Sequence, residues 1–225
     1  MDTSMNRRKF LIGSGAVIFS LKLSAASGLS GTNPKNDNKG QPESDLKNHY
    51  IAIGNYKDDA NRVFMFISFD CPYCAQSWQG VGEWALKLPP PFKFVYVPVF
   101  GTPRKNVAGT AFYIVRELAP HRLPEFMSQA FSLASSRINN ESYIEILYKM
   151  GFTKAQVEGA YASQITKRRV ERAIKLTNNY RIDVTPSFGI AGRYMTHIDL
   201  ANGDTRFLTN IVNRLITIEI ERTFN

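Results

Sequence analysis

The segment Phe69-Asp70-Cys71-Pro72-Tyr73-Cys74 contains both cysteines of this 225-residue chain and decides its fold. Its first residue, Phe69, is also the last residue of the run 63–69. This run is almost wholly apolar, as expected of a strand covered on both faces of a sheet. The residues from Cys74 to Leu88 have helical character, and three consecutive prolines follow them. The sequence therefore predicts a strand, a CxxC motif and a helix in direct succession.

Outside this segment, strand patterns flank a long helical stretch. A second apolar run at 94–99 contains Pro98, which predicts that the strand ends there or lies at a sheet edge. Apolar residues recur at helical spacing from 103 to 181, and a strand pattern returns at 187–191. A final helix is predicted over 209–221. We therefore expect an α/β fold in which one sheet domain is formed by both ends of the chain and carries a helical insertion.

Three apolar helical stripes are predicted to pack in the core of the insertion. A capping box at Thr153 and Gln156 and a long helical segment from about Ile165 to Asn178 follow them. The residues of the third stripe are Tyr143, Ile144, Leu147 and Tyr148. A basic cluster on the last of these helices is interpreted as a solvated face, with an acidic partner as the alternative. Its members are Lys167, Arg168, Arg169, Arg172 and Lys175.

The chemistry of the CxxC motif has three candidate explanations. A structural disulfide across four residues would contribute only roughly 2 kcal/mol, against about 4.7 for a hundred-residue loop. A zinc site needs two more ligands, and the histidines are scattered without paired spacing at His49, His121 and His197. A redox-active pair is favoured over both.

The position of the motif explains how such a pair would work. Unpaired N–H groups and the helix dipole at a helix start stabilise a thiolate on Cys71. A pKa lowered from ~8.5 to ~5 would favour the reduced form by ~2.7 kcal/mol at pH 7, or about 60 mV. Cys74, one turn later, can attack a mixed disulfide, and Pro72 suits the first helical position. Asp70 would oppose the thiolate unless its carboxylate faces solvent.

The N-terminus resembles an export signal. Arg7 and Arg8 precede a 12-residue apolar run and then small residues, with cleavage predicted after Ala26. The route is either twin-arginine or general secretory. Residues 27–48 are polar and are expected to form a flexible leader.

Composition excludes several classes of protein. With 44% hydrophobic and 21% charged residues, the chain is neither disordered nor a multi-span membrane protein. The formal net charge of +9 falls to +6 without residues 1–26. This modest charge is weak evidence for nucleic-acid binding, which usually requires a concentrated basic face.

The CxxC after an apolar strand, together with Val184-Thr185-Pro186 downstream, resembles the thioredoxin superfamily, and the helical insertion resembles its DsbA-like thiol:disulfide oxidoreductases. The resemblance implies a thioredoxin-like fold with a central mixed sheet flanked by helices. It also implies a cis bond before Pro186 and binding of the substrate chain by the Thr185 backbone. The predicted substrate-binding residues are Pro72, Tyr73, Thr185 and Pro186. Many relatives carry a buried acid six positions before the first cysteine, where this chain has Met65.

The predicted domain partition is a signal peptide at 1–26, a leader at 27–48, a thioredoxin-like domain at 49–101 and 183–225, and an inserted helical domain at 102–182. The catalytic residues would be Cys71 as nucleophile and Cys74 as resolving cysteine. Neither a cofactor nor a metal is expected.

The resemblance leaves three functions open. A periplasmic oxidase would introduce disulfides into reduced or unfolded exported clients and be re-oxidised by a membrane partner. A disulfide isomerase or reductase of the DsbG/DsbC type is the alternative, and a non-catalytic client-binding module is the third. Only a polar stretch precedes the thioredoxin-like part, which favours a monomeric oxidase over a dimeric isomerase.

Overall fold

The computed structural model describes residues 46–133 and 141–224, so the signal peptide predicted at 1–26 lies outside the described residues. The strands are β1 (Ile51–Ala52), β2 (Arg62–Ile67), β3 (Lys93–Pro98), β4 (Ser187–Ile190) and β5 (Tyr194–His197). The α-helices of the described residues are α1 (Pro72–Ala85), α2 (Pro103–Leu118), α3 (Leu123–Ser132), α4 (Glu141–Lys149), α5 (Lys154–Ala162), α6 (Gln164–Asn179) and α7 (Thr205–Phe224).

The five strands form one mixed sheet in the order β1-β5-β4-β2-β3. Strands β2 and β3 are parallel, and the other neighbouring pairs are antiparallel. Strand β3 both ends at Pro98 and lies at the sheet edge, so both consequences predicted from this proline hold. The predicted α/β class with a central mixed sheet flanked by helices is confirmed.

Strand β2 is buried on both of its faces, as its continuous apolar run predicted. Met65 pairs with Tyr96 of β3, whose hydroxyl donates to the Trp78 carbonyl of α1 at 2.5 Å. On the opposite face, the Phe66 ring lies 5.5 Å from the ring of Tyr180, which follows α6. Helices therefore cover both sides of the strand that leads into the CxxC motif.

The chain between β3 and β4 is helical, from α2 to α6. Helix α2 is central, because it contacts the other four helices of this segment as well as β3. The predicted capping box at the start of α5 is present: the Thr153 hydroxyl accepts from Gln156 N, and the Gln156 side chain accepts from Thr153 N. Similar caps at Thr102 and Ser163 start α2 and α6.

Three predictions differ from the structure. Helix α7 begins at Thr205 instead of 209, because the Asp204 carboxylate accepts hydrogen bonds from two N–H groups of its first turn. Tyr148 is expected in the core but is 44% exposed, because α4 buries Ile146 instead and Met150, which follows the helix, is also buried. Leu46, placed in the predicted flexible leader, is 1% exposed and belongs to the core, whereas residues 27–45 lie outside the described residues.

Candidate active site

Cys71 is the N-cap residue of α1. Its backbone is extended, with φ −92° and ψ 118°, and its sulfur accepts a hydrogen bond from Cys74 N at 3.4 Å. Pro72 occupies the first helical turn, where a missing N–H costs nothing. The helix thus begins two residues before Cys74, and the thiol of Cys71 lies at its N-terminus as predicted.

The loop before β4 brings a second predicted segment to this thiol. The bond between Thr185 and Pro186 is cis, as the resemblance implied. The Cys71 thiol donates to the Thr185 carbonyl oxygen, with Sγ and O 3.0 Å apart across 114 residues of sequence. Pro186 is buried, whereas Thr185 is partly exposed. The fold therefore joins the two motifs that sequence reasoning had paired.

The surroundings of Cys71 lower the pKa of its thiol from 9.0 to about 6. The hydrogen bond with the Cys74 side chain contributes most. Burial of the sulfur opposes the shift, while interactions with Thr185 and with the N–H groups of Cys74 and Tyr73 favour it. Cys71 is consequently mostly thiolate at neutral pH.

Cys74 has the opposite character. Its side chain is 0% exposed, and burial, followed by the hydrogen bond and charge of Cys71, raises the pKa of its thiol well above 9.0. The structure therefore pairs one accessible, acidic thiol with one enclosed, protonated thiol. Both cysteines are in the free form.

The side chain of Asp70, the residue before Cys71, is solvent-exposed. Its Oδ1 accepts a hydrogen bond from the Ser68 hydroxyl at 2.5 Å. This meets the condition that the sequence set for a stabilised Cys71 thiolate. Sequence reasoning missed Ser68, although a hydroxyl two residues before an aspartate is a recognisable signal for such a local bond.

The first aromatic residue of the motif attaches it to the helical segment. The Phe69 side chain is 2% exposed and lies within 6.3 Å, centroid to centroid, of four rings on α2, α3 and α4. These rings belong to Phe112, Phe126, Phe131 and Tyr143. No sequence pattern indicated this contact, because it joins segments distant along the chain.

The position of the expected buried acid is filled by an apolar side chain. Met65 is 0% exposed in the middle of β2. None of the interactions that shift the pKa of Cys74 involves a carboxylate. Within the described residues, there is no group of three or more histidine, cysteine or acidic side chains that could bind a metal ion.

The remaining predicted site residues lie on the surface around the thiol. Pro72 is exposed, and Tyr73 is 43% exposed despite its large ring. They follow Cys71 directly in the chain, and Thr185 contacts its sulfur through the carbonyl oxygen. Cys71 itself is partly exposed, whereas Cys74 is not.

Comparison with known proteins identifies relatives that are thiol:disulfide interchange proteins. A family model described as Thioredoxin matches residues 47–204. DsbA of Bordetella parapertussis, a thiol:disulfide interchange protein, is 26% identical over 155 residues, which are 68% of this chain and 74% of the relative. DsbA of Azotobacter vinelandii is 25% identical over 203 residues, or 87% of this chain and 91% of the relative.

Solved structures share the fold. The crystal structure of Pseudomonas aeruginosa DsbA superposes with a TM-score of 0.69 at 20% identity, covering 79% of this chain and 95% of that one. The oxidoreductase NmDsbA1 from N. meningitidis gives 0.64 at 20% identity, with coverage of 79% and 94%.

A mixed sheet with a CxxC at a helix start and a cis-proline beside it defines a thioredoxin-fold protein, and this chain belongs to the thioredoxin family. Within that superfamily it is a DsbA-like thiol:disulfide oxidoreductase.

Proposed function

We propose that the protein introduces disulfides into reduced or unfolded exported proteins by dithiol–disulfide exchange through Cys71 and Cys74. The observation that carries this proposal is the difference between the two thiols. Cys71 is accessible with a pKa of about 6, whereas Cys74 is fully enclosed and protonated.

The proposed exchange starts from the Cys71–Cys74 disulfide. A client thiolate attacks Sγ of Cys71, and the Cys74 sulfur leaves with the electron pair of the broken bond and takes up a proton. The second client thiolate then attacks the client sulfur of the mixed disulfide, and Cys71 leaves as a thiolate. The client is oxidised by two electrons and the enzyme is reduced by two. In the reverse direction, Cys74 resolves the mixed disulfide.

The pKa of Cys71 favours the oxidising direction, because a less basic thiolate is a better leaving group. A thiol with a pKa of about 6 stabilises the reduced enzyme at pH 7 by about 1.4 kcal/mol relative to an ordinary cysteine. That corresponds to a disulfide about 30 mV more oxidising. The sign favours an oxidase over a reductase.

Four residues are proposed to bind the client chain: Pro72, Tyr73, Thr185 and Pro186. Within the described part of the chain, the Thr185 N–H has no hydrogen-bond partner, although the Thr185 carbonyl contacts Cys71. An extended client backbone can pair with the backbone of Thr185, in the loop before β4, and bring its own cysteine to Sγ of Cys71.

The same proposal extends to the cell biology of the protein. Residues 1–26 would direct export to the periplasm and 27–45 would form a leader. A membrane redox partner would re-oxidise a monomeric enzyme, which would have its thioredoxin-like domain at 49–101 and 183–225 and its helical domain at 102–182. No described helix has the length and apolar character needed to cross a membrane.

The proposal is tested with a peptide that contains two cysteines. Oxidised wild-type protein mixed with the reduced peptide should yield the peptide disulfide and the enzyme dithiol in equal amounts, measured by mass spectrometry. The Cys74→Ala variant mixed with the disulfide-linked dimer of a single-cysteine peptide should accumulate a mixed disulfide on Cys71, because neither Cys74 nor a second cysteine of the same peptide can displace it.

The control is Cys71→Ser, which keeps the side-chain size but should support neither reaction. Retained exchange in this variant contradicts the assignment of Cys71 as nucleophile. Unchanged client binding by a variant without either cysteine, combined with no peptide oxidation by the wild type, would identify a binding module instead.

A further inference from the structure

A pocket of about 300 Å³ lies between the sheet and the helical segment, and none of its lining residues belongs to the candidate active site. Strands β2 and β3 form one side of it, and helices α2 and α6 form the other. Arg62, the first residue of β2, lines the pocket, whereas Cys71 lies beyond the other end of that strand, four residues after Ile67. The pocket is therefore a separate feature of the fold.

Four arginine side chains from three different elements meet in this pocket. They come from β2, α2 and α6, and are Arg62, Arg116, Arg169 and Arg172. Two of them belong to the basic segment that the sequence assigned to a solvated helix face. The structure corrects this assignment for Arg169, which is half-buried in the pocket.

Nearby carboxylates do not balance these charges. Asp58 lines the pocket, and Asp59 pairs with Arg172 at 3.1 Å. Glu117 lies outside the lining and accepts hydrogen bonds from two hydroxyl groups, although the charge of Arg169 also acts on it. Four guanidinium groups face three carboxylates at most, so a net positive charge remains.

At least one of these arginines also lacks part of its hydrogen bonding. Nη1 of Arg169 is shielded from solvent and has no hydrogen-bond partner among the described residues. Burial lowers the pKa of Arg116, and the charges of Arg169 and Arg62 lower it further. A buried guanidinium without an acceptor costs free energy, and clustered like charges add to that cost. An anion in the pocket would remove both costs.

We propose that this pocket binds a small dissolved oxyanion of the phosphate or sulfate class. Guanidinium groups present planar pairs of N–H donors that match the oxygens of such anions. Because the four arginines come from three different elements, their guanidinium groups can approach one anion from several directions. A volume of about 300 Å³ admits a phosphate group with a few further atoms. The bound anion would join the helical segment to the sheet.

Isothermal titration of the purified protein tests the proposal. Sodium phosphate and sodium sulfate should each give a saturable signal for one site, and sodium chloride at equal ionic strength should give none. Arg169→Gln and Arg116→Gln should each weaken binding about tenfold or more, because each removes charged hydrogen bonds. Lys167→Gln is the matched control: it removes the same charge from an exposed position of α6 outside the pocket lining.

Equal signals with phosphate and chloride in the wild type overturn the proposal, whether or not the variants fold. Equal weakening by Lys167→Gln and Arg169→Gln also overturns it, since that result reports general charge screening. Vesicles containing phosphatidylglycerol form a last arm. Arg169-dependent sedimentation with vesicles, without phosphate binding, would contradict a dissolved ligand in favour of a lipid headgroup.

Discussion

The two cysteines of the CxxC motif are three residues apart, yet their surroundings shift their pKa values in opposite directions. Cys71 receives hydrogen bonds that favour its thiolate, whereas Cys74 is enclosed by apolar side chains that favour its neutral thiol. The largest contribution to the acidity of Cys71 comes from the Cys74 thiol itself. Each cysteine therefore determines the chemistry of the other.

This coupling predicts different effects for two substitutions of the same residue. Cys74→Ala removes the donor, so the pKa of Cys71 should rise from about 6 towards 9.0. Cys74→Ser keeps a hydroxyl donor at the same place and should leave the pKa near 6. The measurement is the pH dependence of Cys71 alkylation in each variant. Identical midpoints in the two variants would show that the Cys74 side chain is not the cause.

At the residue scale, the sequence predicted which residues form the active site better than it predicted the size of their pKa shifts. Cys71, Cys74, Thr185 and Pro186 were found from motif chemistry and from the family resemblance. The helix position indicated that the pKa of Cys71 is lowered but not by how much: the hydrogen bond with the Cys74 side chain lowers it to about 6, while partial burial opposes the shift. Burial depends on segments far apart along the chain, and a local motif does not reveal it.

Among the secondary-structure elements, β4 has a close contact that explains a single glycine. A Cβ atom at Gly189 would overlap the ring of Tyr180, which is 0% exposed and donates through its hydroxyl to Asp59 at 3.4 Å. The ring therefore has little freedom to move aside. Gly80 in α1 is the contrasting case, since a Cβ atom there would have no such neighbour within 4 Å.

These two glycines give a paired prediction. Gly189→Ala should lower the free energy of unfolding by about 1–3 kcal/mol, because overpacking displaces the Tyr180 ring. Gly80→Ala should raise it by roughly 0.5–1 kcal/mol, because alanine is the better residue inside a helix. Urea denaturation of both variants measures the changes. A stability loss of the same size in both would contradict the packing argument.

Elements with a strong local sequence pattern were predicted correctly, whereas the face that a helix buries was harder to predict. The apolar run before the CxxC and the capping box at Thr153 indicated β2 and the start of α5. The predicted buried face of α4 was wrong at Tyr148. Helical spacing from Tyr143 and Leu147 is compatible with two buried faces. One face contains Ile144 and Tyr148, and the other contains Ile146 and, just after the helix, Met150. Only packing against neighbouring helices selects the second face.

For the whole molecule, the acidity of Cys71 links redox state to stability. The folded pKa of this thiol is lowered, so its contribution to the reduced protein is complete above the ordinary value of 9.0 and is lost as the pH falls through about 6. The oxidised protein has no such thiol. Groups that titrate equally in both forms cancel when the two are compared.

The reduced protein should therefore gain stability relative to the oxidised protein as the pH rises through 6 towards 9, and at pH 7 the gain relative to low pH should be about 1.4 kcal/mol. Denaturation of both forms at several pH values measures this difference. In Cys71→Ser, compared with the oxidised wild type, the same pH dependence should be absent. A constant difference in the wild type would contradict the linkage.

The fold class and the joining of two distant motifs could be inferred from the sequence, because each rests on a local pattern or on a family resemblance. The contact of Phe69 with four aromatic rings and the pocket of four arginines could not. Both depend on how the helical segment packs against the sheet. Periodicity predicts that a helix buries a face, but not which residues of another element it meets.

The most direct test of the whole account is the rate of Cys71 alkylation in the reduced wild-type protein as a function of pH. The thiolate is the reacting species, and the enclosed Cys74 contributes little. The account predicts a midpoint at about pH 6. A midpoint near 9.0, the ordinary value for a cysteine, would show that the helix start and its neighbours do not stabilise the thiolate.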